Sequence, residues 1–97
     1  MSYKFSTIVK AKNNEYLVKA PSKTEGKKYD VFLDDKKILS FGDINYQHYK
    51  DKLGYFSRLN HFDTKRRKSY RTRHQFDKGV VLDNPNYSGW WSFNILW

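Results

Sequence analysis

The chain has 97 residues, a net charge of +9 and aromatic side chains at 19% of its positions. This size favours one small domain, and so many rings argue against a chain that is disordered throughout. The absence of cysteine excludes disulfides and thiolate metal sites, and no apolar run approaches the roughly 20 residues of a membrane span. The N-terminus also lacks an apolar signal-peptide core, so we expect an intracellular protein.

The first half of the chain predicts two β-hairpins. Its apolar and polar residues alternate, and Asn-Asn and Asp-Asp-Lys segments suit the turns. The four predicted strands are residues 3–10, 16–20, 29–33 and 37–41. The second hairpin has apolar residues on both faces, which predicts a position at the centre of the sheet.

The second half of the chain predicts helices. A period of 3.6 from residue 44 predicts a short helix to Leu53 with Asp43 as its N-cap. Asp63 is predicted to cap a second helix that runs to about Phe76. Residues 88–97 fit both a strand and a short helix capped by Ser88, and we favour the helix. The sequence thus predicts an α+β fold, with a small antiparallel sheet of hairpins and two or three short helices packed on it.

The most informative segment is residues 65–74, in which six of ten positions carry a fixed positive charge and none is acidic. Cations crowded on one helix repel each other, and a polyanion such as nucleic acid relieves that repulsion. Tyr70 is predicted to anchor this helix to the rest of the domain. The predicted nucleic-acid or anion-binding residues are Lys65, Arg66, Arg67, Lys68, Arg71, Arg73 and His74.

Two other interpretations of the basic segment stay open at this stage. The helix could be a solvated surface whose arginines pair with Asp51, Asp77 or Asp83. Short runs rich in Lys and Arg also serve as localisation signals. The excess of positive charge over local acids favours phosphate binding, and rings near the helix could stack on single strands.

The C-terminal segment is too apolar to remain in water, so it packs on the sheet or on a partner. Its three tryptophans are therefore candidates for the core or for a partner interface. The predicted interface residues are Trp90, Trp91 and Trp97.

Catalysis has little support in the sequence. Three histidines, together with nearby aspartates, could form a hydrolytic metal site, but they lack the ligand spacing of a His-Glu-x-x-His helix. No nucleophile elbow, phosphate loop or dinucleotide fingerprint is present. We therefore predict no enzymatic activity, no catalytic residue, no metal and no cofactor, with a small metal-dependent nuclease as the least favoured alternative.

Several spaced motifs occur in order along residues 27–97. They are Lys28-Tyr29-Asp30-Val31-Phe32, Ser40-Phe41-Gly42-Asp43, Tyr46 to Asp51, Asp63-x-x-Arg66-Arg67-x-x-Tyr70-x-x-Arg73-His74, Asn84-Pro85, Gly89, Trp91 and Leu96-Trp97. Together they resemble a family of small, basic proteins of unassigned function encoded by large DNA viruses and some phages. The resemblance implies a viral origin and no particular reaction.

The sequence and the resemblance together predict a small, non-enzymatic viral protein that binds nucleic-acid phosphates, of DNA or RNA, through the basic helix. The alternative is a minor virion structural protein that cements or bridges capsid proteins, with an acidic capsid surface as its partner. We expect either protein in the infected host cell, in the cytoplasm or nucleus, and the second in the virion.

Overall fold

The computed structural model describes residues 2–97 and has an α+β architecture. Four antiparallel strands form one sheet in the order β1-β2-β3-β4, which is also their order in the sequence. The strands are β1 Phe5–Ala11, β2 Asn14–Ala20, β3 Lys27–Leu33 and β4 Lys36–Asp43. The predicted fold class is confirmed, and each predicted strand overlaps an observed one.

Two tight turns join the strands of the two hairpins. Lys12 and Asn13 have φ angles of 51° and 68°, and Asp34 and Asp35 have φ angles of 52° and 65°. Two consecutive residues with positive φ give the turn geometry that matches the twist of a β-hairpin. Asn and Asp tolerate this conformation, which is why the sequence indicates these turns well.

The predicted central position of the second hairpin is wrong, because its strand β4 lies at the edge of the sheet. Its apolar side chains are covered by the C-terminal helix instead of by another strand. Phe41 of β4 stacks on Trp91, with ring centroids 5.6 Å apart and an interplanar angle of 29°. An apolar strand pattern indicates burial, but it does not say whether a strand or a helix provides the cover.

The helical half follows β4 after a long irregular segment. A 3-10 turn occupies Ser57–Leu59, and three α-helices follow: α1 Thr64–His74, α2 Lys78–Val81 and α3 Ser88–Trp91. The last of these continues as a π-helical turn over Ser92–Leu96. Within residues 2–97, no helix combines the length and the apolarity needed to cross a membrane.

The predicted helix over residues 44–53 is wrong, because this segment consists of turns and extended pieces. Its backbone bonds to other parts of the chain: the amides of Lys50 and Lys52 donate to the carbonyls of Leu96 and Ile95, both at 3.1 Å. Asp43 caps no helix, because a turn follows it, and its Oδ1 accepts a hydrogen bond from the amide of Asn45 within that turn. Tertiary hydrogen bonds therefore override the helical period of the sequence.

The predicted C-terminal helix is confirmed, but the predicted cap is wrong. Ser88 is the first residue of α3, and Tyr87 occupies the N-cap position without a side-chain hydrogen bond. The helix is held by packing instead, because Trp91 is fully buried and its indole N–H donates to the Pro85 carbonyl at 2.7 Å.

A chain of aromatic contacts connects the sheet to the helical half. Trp91 meets the ring of Tyr16 edge-on at 5.3 Å and stacks on Phe41 at 5.6 Å. Phe41 stacks on Tyr29 at 5.2 Å, and Tyr29 meets Phe56 edge-on at 5.1 Å. All five rings are buried, and such pairs add roughly 0.5–1.5 kcal/mol each beyond the burial of their area. This core fixes the C-terminal helix, on which α1 rests.

Candidate nucleic-acid interface

Helix α1 carries the basic segment and begins at a charged cap. The Oδ1 atom of Asp63 accepts hydrogen bonds from the amides of Lys65 at 2.9 Å and Arg66 at 3.2 Å. A carboxylate at the N-terminus and cations in the last turn both complement the helix dipole. The predicted cap at Asp63 is confirmed, and the helix ends at His74, two residues before the predicted end.

One side of α1, which we term the inner face, lies on the C-terminal segment. The inner face consists of Arg67, Tyr70, Arg71 and His74. The ring of Tyr70 stacks on Trp97, with centroids 4.2 Å apart and an interplanar angle of 5°. The centroid of the His74 ring lies 4.2 Å from that of the Tyr70 ring. Burial, followed by the charge of Asp77, raises the pKa of Tyr70, so its hydroxyl stays neutral. The structure thus supports the predicted role of Tyr70 as the anchor of this helix.

The two arginines of the inner face bind their own chain. Arg67 donates from Nε to the main-chain oxygen of Trp97 at 2.8 Å, and its guanidinium lies 4.9 Å from the ring of Tyr49. Arg71 donates to the carbonyl of Phe93 at 3.2 Å and lies 4.0 Å from that ring. These contacts leave Arg67 and Arg71 less free for phosphates than the sequence predicts.

The other side of α1, which we term the outer face, consists of four exposed cations: Lys65, Arg66, Lys68 and Arg73. Among the ion pairs of residues 2–97, none involves any of these four side chains. Arg66 donates to the amide oxygen of Gln47 at 3.0 Å, and Arg73 makes a long 3.4 Å contact with the Ser69 carbonyl. The outer face therefore carries four positive charges without a carboxylate partner.

The acids that could have neutralised α1 are bound elsewhere. Asp51 is buried and accepts hydrogen bonds from the Tyr29 hydroxyl and from two amides. Asp83 pairs with Lys12, and hydrogen bonds from Lys12 and the Trp90 indole lower its pKa. The third acid, Asp77, lies next to His74. Among the described residues no arginine forms an ion pair with any of these three acids, so the predicted pairing is wrong, although the outer face of α1 is exposed to solvent as that alternative also predicts.

His74 differs from the other predicted anion-binding residues because it already has a carboxylate partner. Its Nδ1 lies 2.7 Å from Oδ2 of Asp77. This contact orients the ring against Tyr70 and offsets the charge that a protonated His74 would bring to a phosphate.

A cleft of about 660 Å³ separates the outer face from the turn that follows β4. Tyr46 and Gln47 form one wall, and Lys65, Arg66 and Arg73 form the other. Its floor includes Tyr70, Leu96 and Trp97. The Arg66–Gln47 hydrogen bond connects the two walls. The cleft thus combines an aromatic and apolar floor with a cationic rim.

A buried polar network holds the Tyr46 wall in place. Lys28 is 1% exposed, and its ammonium lies 2.8 Å from the Tyr46 carbonyl and 3.0 Å from Nδ1 of His48. Because an ammonium only donates, Nδ1 must accept, and the ring proton lies on Nε2, which is 2.6 Å from the Asn60 side-chain oxygen. The network therefore allows one tautomer of the neutral imidazole.

Both titratable groups of this network have shifted pKa values. Burial lowers the pKa of Lys28 to about 8, against an opposing effect from the charges of Asp51 and Asp43. Burial and the neighbouring Lys28 charge lower the pKa of His48 to about 4. At neutral pH His48 is therefore neutral, and most Lys28 side chains carry a charge beneath the cleft.

Sequence reasoning did not identify Lys28, Tyr46 or Gln47 as residues near the basic helix. Lys28 precedes the predicted strand over residues 29–33 and follows another lysine, so nothing in the local sequence indicates that it is buried. Tyr46 and Gln47 lie in the segment that is wrongly predicted as a helix over residues 44–53. Only the path of residues 44–62 around the C-terminal segment brings these residues opposite α1.

The predicted partner interface needs correction at two of its three tryptophans. Trp91 is 0% exposed and Trp90 is buried beside it, with ring centroids 5.0 Å apart. Their place in the core leaves almost no surface for a partner. Trp97 is half-buried and contributes to the floor of the cleft, so it alone can reach a bound molecule.

The histidines considered for a metal site have separate partners. His48 belongs to the Lys28 network, and His74 contacts Asp77. The Nδ1 atom of His61 accepts a hydrogen bond from the amide of Asp63 at 2.9 Å. Within residues 2–97, no group of three or more His, Cys, Asp or Glu side chains is placed to hold a metal ion.

Comparison with known proteins gives no relative: no family model, no curated protein and no solved structure matches this chain. The viral resemblance of the motifs therefore stays a prediction. The features that bear on function are those of the chain itself, an α+β domain with a cationic helix beside an aromatic cleft.

Proposed function

We propose that this protein binds nucleic acid without catalysing a reaction, and that the outer face of α1 contacts the phosphates. The observation that carries this proposal is the set of four exposed cations that have no carboxylate partner in the part of the chain that the structure describes. Lys and Arg side chains of this kind replace the counterions of a polyanion, and the release of those ions favours binding.

The dimensions of the outer face suit a run of several phosphates. Lys65 and Arg73 are eight positions apart, which is about 12 Å along a helix that rises about 1.5 Å per residue. One strand of a duplex places a phosphate about every 3.4 Å along the axis, so roughly three or four phosphates lie within this span. Because α1 is capped by Asp63 and anchored by Tyr70, its cations are held in a fixed arrangement.

The viral context implied by the motif resemblance belongs to this proposal. The alternative to nucleic-acid binding is a minor virion structural protein, in which the apolar C-terminal segment would contact capsid proteins and the basic helix an acidic capsid surface. Since Trp90 and Trp91 are buried, that alternative has less support than nucleic-acid binding.

Salt dependence provides the direct test of phosphate contact. Fluorescence anisotropy would be measured with labelled single-stranded DNA, single-stranded RNA and duplex DNA at several salt concentrations. With three or four phosphate contacts, log K should fall linearly with log salt, with a slope of about −3 to −4 for the duplex. Absence of binding at about 50 mM salt, or a slope near zero, would overturn the proposal.

A pair of triple variants tests whether the outer face is the site. The first variant combines Arg66→Gln, Lys68→Gln and Arg73→Gln. It should bind roughly 10- to 100-fold more weakly, and its slope of log K against log salt should be less steep by about two to three. The matched control combines Lys4→Gln, Lys10→Gln and Lys36→Gln, exposed residues of the sheet half, and has the same net charge. Equal losses in the two variants would show that only the net charge matters and would refute the site.

A further inference from the structure

The cleft beside α1 has a volume that phosphate binding alone does not require. Its volume of about 660 Å³ lies within the range of roughly 300–1,000 Å³ that is typical of small-molecule sites. Phosphates on the outside of a duplex could bind the exposed cations without entering it. The volume therefore suggests that part of the ligand projects inward.

The aromatic residues of the cleft indicate what that part is. Tyr46 is 68% exposed although it lines a concave site, and Trp97 is half-buried at the floor. Exposed rings beside arginine are the surfaces on which unpaired bases stack, because every base has a π-face.

The charge of the lining favours an anionic ligand. Lys65, Arg66 and Arg73 line the cleft, whereas Asp43 is its one carboxylate among the described residues. Lys28 also lines the cleft, and its ammonium donates to the Tyr46 carbonyl and to His48. Most Lys28 side chains are charged at neutral pH, so they add a positive charge beneath the cleft.

We propose that the cleft binds one unpaired nucleotide of a single strand, with its base against Tyr46 and Trp97 and its phosphate at Arg66 and Arg73. This inference rests on the proposed function and deepens it, because it names a single strand as the substrate class. Gln47 and Ser69 supply hydrogen-bonding groups for the edge of the base. A base in a duplex is stacked and paired, and so it cannot enter the cleft.

The test compares single strands with a duplex for a variant of the cleft wall. Tyr46→Ala should weaken binding of a 12-nucleotide single-stranded DNA, or of the RNA of the same sequence, about tenfold, which is typical of a lost stacking contact. Binding of a blunt 12-base-pair duplex should change less than about twofold, and Tyr46→Phe should restore single-strand binding. The DNA and RNA arms show whether the sugar hydroxyl matters.

Phe62→Ala is the matched control, because Phe62 is an exposed ring that lies outside the cleft lining. Its side chain is 58% exposed, so the substitution removes a similar ring from the surface. Both single-strand and duplex affinities should stay within about twofold of the unsubstituted protein. A thermal midpoint for each variant checks that the fold is retained.

A second measurement separates the base from the phosphate. Amide and indole N–H signals would be followed by NMR during titration with thymidine 5′-monophosphate or with inorganic phosphate. The nucleotide should shift the signals of Tyr46, Gln47, Ser69 and the Trp97 indole, and inorganic phosphate should leave the Trp97 indole unchanged.

The outcomes distinguish this inference from the proposed function. If Tyr46→Ala binds single strands as tightly as the unsubstituted protein, the nucleotide site is refuted, while salt-dependent binding through the outer face still stands. If the unsubstituted protein binds none of the three nucleic acids, the proposed function fails and the nucleotide site fails with it.

Discussion

The two faces of α1 use the same side chains for different purposes. On the inner face, Arg67 and Arg71 donate to main-chain oxygens of the C-terminal segment and cover aromatic rings. On the outer face, Arg66 and Arg73 are exposed and have no carboxylate partner within residues 2–97. Adjacent positions in one basic run thus differ in role, and the difference follows from what the chain places beside them.

This comparison shows why a count of positive charges overestimates the number of side chains that are available to bind a ligand. An arginine that donates to part-buried main-chain oxygens contributes to stability, and its removal takes that donor away from those oxygens. An exposed arginine contributes little to stability, but it can exchange its hydration for a phosphate. Measuring stability and binding on the same variants separates the two roles.

The largest expected effect on stability is on the inner face, at its anchor. Tyr70→Ala removes the ring that stacks between Trp97 and His74 and should lower the free energy of unfolding by about 2–3 kcal/mol. Urea unfolding would measure this loss. Phe76→Ala is the control, because Phe76 follows the same helix and is 80% exposed, so its loss should stay within about 0.5 kcal/mol. Similar losses in both would contradict the anchoring role.

A slightly smaller effect is expected at the wall opposite the outer face, where His48 supports the cleft. The pKa of His48 is about 4 in the folded chain and 6.5 as the ordinary value, so the unfolded chain binds more protons between these pH values. Stability is therefore retained above pH 6.5 and is lost as the pH falls towards 4, by about 2 kcal/mol at pH 5. Urea unfolding at pH 7 and pH 5 would measure this change.

His48→Gln is the variant that isolates this contribution, because the pKa of His61 is also lowered by burial and adds to the same slope. The variant should lose most of the difference between pH 7 and pH 5. An NMR titration gives an independent check, and a His48 midpoint above pH 6 would rule out the buried neutral ring.

The smallest of the three effects is the most direct comparison of the two faces. Arg67→Met loses the hydrogen bond to Trp97 and the contact with Tyr49, and stability should fall by about 1.5 kcal/mol. Arg66→Met, the same change at the next position, should cost less than about 0.5 kcal/mol and should weaken nucleic-acid binding more. The two faces would not differ as proposed if both variants lost equal stability and equal affinity.

Much of the fold could be predicted because local patterns and local structure agree. The alternation of apolar and polar residues, together with turn residues that tolerate positive φ, predicted the hairpins, and Asp63 predicted the start of α1. The helix predicted over residues 44–53 failed because its backbone bonds to the distant carbonyls of Ile95 and Leu96. No local pattern encodes a partner that lies more than 40 positions away.

The candidate site was predictable in part for the same reason. The basic segment is contiguous, so its charge and its helical state follow from neighbouring residues alone. The opposite wall is formed by Tyr46 and Gln47, and it depends on a lysine from β3 that is buried beneath it. Lys28 is buried where its ammonium contacts the segment that carries Tyr46 and His48, which a strand pattern cannot show.

By itself, the sequence determined the basic helix with its charged cap and the two hairpins, since each depends on residues within a few positions of one another. It also supplied the many aromatic residues from which the core is built. The tertiary structure alone decided which cations bind the C-terminal segment and which stay exposed, because that segment lies against one face of α1. It also decided that Trp90 and Trp91 belong to the core and that a cleft lies beside the outer face. Contacts between distant segments determine burial, and burial decides whether a charge stabilises its own fold or remains available to a partner.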